Sequence, residues 1–362
     1  MAITSQIVTV DAQVTSAPSP STLQQSGAIV SVGGTTQTVG TYTYYSTLTA
    51  LEAALSALGN YVEVGHMATT FFAQGNAVGV YVLELGVEGS ASAGITALNT
   101  WIVANPGNFY AYLTPATWDA SGAALNTMAA NYSSPTGKTY FFVTTTSGTL
   151  SAYAATTKAI IAIVPSPTAA SSEFQAAAFF YQWLSNLPAI ASPSPPMAFR
   201  YVYGVTPWTL NGNGTTTSAI LTAFGNIILS GAEGGISTAT LRRATTMDGN
   251  QMMFWYAVDW FQIQGQQQLA NAIINGSNEN PPLYYNQAGI NTLLAVLQAI
   301  EFSGTQFGLL LTGSFSATPF ATYVAANPAD YAAGKYAGFS GTVDPQNGFQ
   351  EIVFFLDATT FA

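Results

Sequence analysis

Cysteine is absent from the 362 residues, histidine occurs once, and lysine and arginine together number six. The missing thiols exclude a disulfide framework, a cysteine nucleophile and a cysteine zinc site. A single histidine, His66, leaves any metal site to carboxylates and carbonyls. Six basic residues against sixteen acidic ones, a formal charge of −10, exclude a phosphate-binding groove, because counterion release needs Lys and Arg. Charged residues make up only 6%, where a soluble domain has about 25%. The polar surface is therefore built from Thr, Ser, Asn and Gln, and a surface with so little charge repulsion tolerates close contact with other protein. The first residues, Met1-Ala2-Ile3-Thr4-Ser5-Gln6, carry no basic segment followed by an apolar run, so no targeting signal is read there. The longest apolar stretch, Leu293 to Leu311, is broken by Gln298, Glu301, Ser303 and Gln306 and does not read as a membrane span.

Apolar and aromatic residues are plentiful, with 21 Phe, 19 Tyr and 6 Trp, so a large core is expected. The length suggests about two domains. In residues 1–25, Val8, Val10, Ala12 and Val14 alternate with Thr9, Asp11 and Gln13, the period of a strand, ahead of a Pro/Ser break at 16–21. An isolated strand needs a sheet to join.

Residues 26–235 read as an α/β domain. Strands are expected at 28–32, 76–85, 109–113, 139–144, 159–164 and 199–203. Helices are expected at 48–58 after a Ser46 or Thr47 cap, at 94–104, 120–132, 151–158 and 172–187. Residues 211–217 read as a flexible polar loop, and Gly231, Gly234 and Gly235 mark a boundary. Residues 236–340 read as an α+β unit. A strand at 240–244 enters a turn at Asp248-Gly249-Asn250, and a strand or helix start at 252–260 leads into a Gln-rich helix to about Ile274. A second helix capped by Asn286 follows, with Ile290, Leu293, Leu294, Leu297 and Ile300 on one stripe. A strand at 307–311 and a helix broken at Asn327-Pro328 complete the unit. Residues 341–362 contain a strand apolar on both faces, Ile352-Val353-Phe354-Phe355-Leu356, which must be paired within its own sheet or with another copy. The fold class is thus α/β, turning α+β in the C-terminal part, with helices packed on mixed sheets.

No catalytic constellation emerges. His66 lacks a nucleophile motif, and neither a G-x-G-x-x-G nor a P-loop pattern is present. Glu84 and Glu88 flank Gly86 just after a strand, where enzymes often place acids, as a carboxylate pair for a glycosidase or a calcium site; the alternative is a solvated loop. Asp259 sits in an aromatic cluster. If buried it needs a partner, and Arg242 or Arg243 are the candidates for a buried or interface ion pair; alternatively these arginines lie on the surface.

The second half resembles contractile phage (myovirus) tail sheath proteins of a short form. The resemblance rests on Thr240-Leu241-Arg242-Arg243-Ala244, Trp255-Tyr256-Ala257-Val258-Asp259-Trp260, Tyr285-Asn286-Gln287-Ala288-Gly289-Ile290, Asn327 to Gly334, and the closing strand Phe349 to Leu356. It implies a structural virion subunit without cofactor or enzymatic activity, assembled in the bacterial cytoplasm and working in the phage tail. Such subunits stack as hexameric rings around a tail tube and contract to drive the tube through the host envelope. The implied partners are further copies of the chain, the tail tube protein, and baseplate and terminator proteins, with no nucleic acid and no membrane insertion. It further implies that the terminal arms, through Val8, Val10 and Val14 and through Ile352 to Leu356, add strands to sheets of neighbouring subunits. Another virion protein such as a tail tube, and a secreted carbohydrate-active enzyme using the Glu84 region, are the alternatives.

Overall fold

The computed structural model describes residues 23–188, 192–209, 212–230 and 238–350. The terminal strands expected around Val8, Val10 and Val14 and at Ile352, Val353, Phe354, Phe355 and Leu356 lie outside the described residues.

The N-terminal part is a three-layer sandwich. Its elements in chain order are β1 (Gly27–Ser31), β2 (Tyr42–Tyr45), α1 (Leu48–Glu52), α2 (Tyr61–Ala73), β3 (Val80–Glu84), α3 (Ala91–Ala104), β4 (Ala111–Leu113), α4 (Gly122–Ala130), β5 (Tyr140–Thr144), β6 (Ile160–Ile163) and α5 (Gln175–Leu184). The six strands pair in the order β2-β3-β1-β4-β5-β6, all parallel except the edge strand β2, which runs antiparallel to β3. Side chains leave opposite faces of a strand in turn. Ile29, Tyr140 and Phe142 therefore enter a core with α2 and α5, while Ala28, Val30, Phe141 and Val143 enter a second core with α3 and α4. Strands covered on both faces read as unbroken apolar runs, which is why they were legible.

The chain continues through α6 (Gly214–Thr222), β7 (Ile227–Ser230) and β8 (Ala239–Arg242) to two long helices, α7 (Met252–Gly276) and α8 (Gln287–Gln306). It closes with β9 (Leu310–Ala317), α9 (Phe320–Ala326), α10 (Pro328–Ala332) and β10 (Phe339–Pro345). The Asn286 side chain accepts from the Gly289 amide as the expected cap of α8, and Ile290, Leu297 and Ile300 are buried beneath it. No described helix is long and apolar enough to cross a membrane.

Several local expectations are corrected. The helix expected over 48–58 stops at Glu52, because Leu55 bridges back to Thr35 and the Ser56 amide donates to the Gly34 carbonyl. A second helix, α2, follows Gly59, whose φ of +55 reverses the chain. A Cβ at Gly59 would collide with the Val32 carbonyl and the Gly33 backbone. Gly59→Ala is expected to lower stability by about 1–3 kcal/mol in chemical denaturation, through both the collision and the left-handed backbone. The helix expected at 151–158 is reduced to a single turn, Leu150–Ala152. Residues 199–203 form no continuous strand. Phe199 has a φ of +63, and the Arg200 guanidinium donates to the carbonyls of Gln182, Pro195 and Pro196; the segment still lies along β8, with the Phe199 and Val202 amides donating to the Leu241 and Ala239 carbonyls and a single antiparallel bridge from Tyr201 to Thr240. The loop expected at 211–217 turns into α6, where Thr217 and Ile220 are buried. The strand expected at 307–311 begins at Leu310 and runs on to Ala317.

The expected boundary near 235 falls between β7 and β8, which pair antiparallel with Ile227 opposite Arg242, and the boundary at 340 falls inside β10. One core also runs from Ile29 and Trp183 to Met252, Tyr256 and Ile300, tying the long helices to the sheet.

Candidate assembly interface

The strands β9 and β10 form a sheet of their own, an antiparallel pair whose register places Phe315 opposite Gly341 and Gly313 opposite Val343. One face lies on the long helices, where the Phe315 ring stacks on Phe261 at 5.0 Å. The other face is open and lined with hydroxyls. Ser314 meets Thr342 and Ser316 meets Ser340, each pair at 3.1 Å.

The ladder also fixes which backbone groups are spare. The Thr318 amide donates to the Gly338 carbonyl at 2.9 Å. In an antiparallel pair, hydrogen-bonded and non-hydrogen-bonded positions alternate. Ser316–Ser340, Ser314–Thr342 and Thr312–Asp344 are therefore the bonded pairs. Phe315 on β9, and Gly341 and Val343 on β10, turn their amides and carbonyls outward. Among the described residues neither edge is paired with another strand. Natural sheets protect such edges with lysine, proline, bulges or a covering element. These strands carry no lysine, and their proline and their register irregularity both fall at Pro345, at one end.

The candidate ion pair is not what holds Asp259. Its carboxylate is fully buried on α7, and its Oδ2 accepts from the Tyr110 hydroxyl at 2.8 Å and the Tyr140 hydroxyl at 2.7 Å. Burial raises this acid to about 6; Lys158 and the two tyrosines lower it but only partly offset the burial. Among the described residues the cations that lower it most are Lys158 and then Lys138. The reason is topological. Both arginines lie at the end of β8, where the Arg242 guanidinium sits over the Phe199 ring at 5.0 Å and the Arg243 carbonyl accepts from Gln350. The cation near Asp259 is one that sequence reading passed over. Lys158 is buried, donates to the Gly137 carbonyl at 2.8 Å, and lies 4.2 Å from the Trp255 ring centroid. Burial pulls this amine down. Its signal in the sequence was faint, because Thr157-Lys158 precedes an apolar strand as an ordinary solvated lysine would.

The carboxylate pair of the glycosidase alternative does not form a working site. Glu84, at the end of β3, is buried and accepts from Ser31 Oγ, Thr35 Oγ1 and the amides of Gly33, Thr35 and Gly86. Burial raises its carboxyl, but these donors together outweigh burial and the net shift is downward. An acid so saturated has no lone pair left for a substrate proton. Glu88 is exposed on the following loop. His66 lies on α2 and lines a cavity of about 480 Å³ with Glu63 and Glu173. Both glutamates there are engaged, Glu63 with the Ala116 amide and Glu173 with Thr206. The Asp248-Gly249-Asn250 turn closes on itself, with the Asp248 carboxylate accepting from Thr246, Asn250 and the Trp255 indole. Among the described residues no group of three metal-ligating side chains converges.

No protein-family model and no curated protein matches the sequence. Solved structures do match over nearly the whole length. A chain of the anti-feeding prophage helical sheath in its contracted state aligns at 10% identity and a TM-score of 0.60, covering 99% of both chains. This protein has a sheath-like fold. Chains of the anti-feeding prophage baseplate align as well, one from the six-fold symmetrised structure at 10% identity and a TM-score of 0.67, covering 93% of this chain and 94% of the other. Another, from the contracted baseplate, aligns at 14% identity and 0.58, covering 99% and 96%. The sheath-like fold thus spans both the six-stranded layer and the helical part with its hairpin.

Proposed function

We propose that this chain is a structural subunit of a contractile sheath, polymerising as stacked rings around a tail tube. The observation that carries the reading is the β9–β10 hairpin. It is held on one face by α7 and α8, and it offers two strand edges with outward amides at Phe315, Gly341 and Val343. A strand from another copy adds to such an edge by main-chain hydrogen bonds, with alternating side chains setting its register. The alternating segment around Val8, Val10 and Val14 and the apolar segment Ile352 to Leu356 are the strands proposed to add. An extended 20-residue arm reaches about 66 Å, enough to cross to a neighbour. The scarcity of charge suits a body packed on several sides, and the saturated Glu84 favours a structural role over a hydrolytic one. In this reading the chain works in the tail of a phage or phage-like particle, with the tube and baseplate as its other partners.

Proline at an outward-facing edge position removes one free amide and leaves the hairpin's own ladder intact. Val343→Pro is therefore expected to yield a folded subunit with unchanged far-ultraviolet circular dichroism and a critical concentration for polymerisation raised at least tenfold. Val343→Thr, which keeps the amide, is expected to polymerise normally. Sedimentation velocity across a concentration series reads both. Normal assembly of the proline variant would remove the β10 edge from the interface.

A further inference from the structure

The sheet and α7 meet at a buried polar junction that the assembly reading leaves without a role. Tyr110 and Tyr140 reach from the sheet to one oxygen of Asp259, while Oδ1 of the same carboxyl has no hydrogen-bond partner among the described residues. Trp183 stacks on Tyr110 at 5.5 Å, and Tyr256 packs edge-on against Trp183. Water is thus shut out by rings contributed from the sheet, α5 and α7. Lys158 completes the junction from the turn before β6, flat against Trp255 of α7.

We propose that Asp259 is a proton-operated fastener between the six-stranded sheet and α7: the junction is tight when the carboxyl carries a proton and loosens when it ionises. The physical reason is desolvation. An ionised carboxylate with one oxygen unpartnered in an apolar cage is costly, whereas the neutral acid is not. Tyr110 and Tyr140 from the sheet donate to it. Lys158 and, more distantly, Lys138 favour its charged form. Tyr256 on its own helix is itself pushed above the usual tyrosine range, and its hydroxyl donates to the Asn186 carbonyl. Asp248, in the turn before α7, acts on Lys158 and Tyr140. Arg200 acts on Tyr256.

The sign follows from linkage. The folded state holds this proton more tightly than an exposed aspartate does. The stabilising contribution is therefore complete below about pH 4, declines as pH rises, and is gone above about pH 6. If the junction opens locally, opening exposes Asp259 to water, and the opening equilibrium shifts by up to about a hundredfold between those limits. Because α7 carries α8 and the hairpin, a looser junction frees that whole unit relative to the sheet.

Hydrogen exchange of the α7 amides from Met252 to Trp260, corrected for intrinsic rates, tests this on the full chain between pH 4.5 and pH 8. Protection is expected to fall by roughly 25-fold over this range in the native protein and to be flat with pH in Asp259→Asn. Tyr110→Phe removes a donor to the ionised form and is expected to move the midpoint of the loss to lower protection at a higher pH. Lys158→Met moves it the same way. Should Asp259→Asn not fold, the Tyr110→Phe midpoint and a carboxyl carbon-13 titration of the native chain still decide. One aspartate is expected to titrate near pH 6. Protection independent of pH in the native chain, or every aspartate titrating near pH 4, overturns the proposal.

Discussion

Deletion of residues 1–15 is expected to leave a folded, monomeric subunit that no longer polymerises. The segment around Val8, Val10 and Val14 is proposed to add to a neighbour's hairpin. The described core begins at Leu23, with Gln24 already buried against the Tyr256 carbonyl. All six strands of the layer lie C-terminal to the deleted residues. A strand of about six residues adds roughly six main-chain hydrogen bonds at about 1 kcal/mol net each, less the cost of ordering it. Losing even about 4 kcal/mol per contact raises the critical concentration about a thousandfold. Thermal melting and sedimentation of the truncated chain read the two halves of this prediction separately. A truncated chain that still forms normal tubes would remove the arm from the assembly.

The second large effect is on stability. Glu84→Ala is expected to lower unfolding free energy by about 3–5 kcal/mol at neutral pH. It strands buried donors on Ser31, Thr35, Gly33 and Gly86 and frees the loop that they fasten between β1 and β2. The pH signature has a definite sign. The folded carboxyl sits below its ordinary value of 4.5, so its contribution is present above that value and is lost as pH falls through the folded value. Denaturation curves of the variant and the native chain should therefore converge in acid. This is the reverse of the signature of Asp259. Two buried carboxylates in one chain thus pull stability in opposite directions with pH, because one is saturated with donors and the other is not.

How far the sequence speaks depends on what each residue is buried against. The parallel strands were legible because runs such as Tyr140 to Val143 and Ile160 to Ile163 are apolar on both faces. The α8 helix was legible because Asn286 caps it and Ile290, Leu297 and Ile300 share a stripe. By contrast, α2 gave little sign. Val62, Val64, Gly65, Thr69 and Thr70 are poor helix formers, and packing on α5 and β1 holds the segment helical. The hairpin was hidden for a related reason. Its alternation is carried by Gly313, Phe315 and Ala317 against Ser314 and Ser316, and small residues leave a weak pattern. The Asp259 junction was half legible. A buried aspartate in an aromatic setting was foreseen, but its partners come from strands more than a hundred residues away, and only the fold brings Tyr110 and Tyr140 to it.

Electron cryomicroscopy of the polymer formed by the purified chain, alone at rising concentration and beside tail tubes, tests the central claim most directly. The account predicts hollow tubes of stacked rings in which the β9–β10 hairpin has gained strands from other copies at the outward amides of Phe315 and Val343. A chain that stays dispersed even beside tail tubes, or tubes in which both hairpin edges remain unpaired, would contradict it.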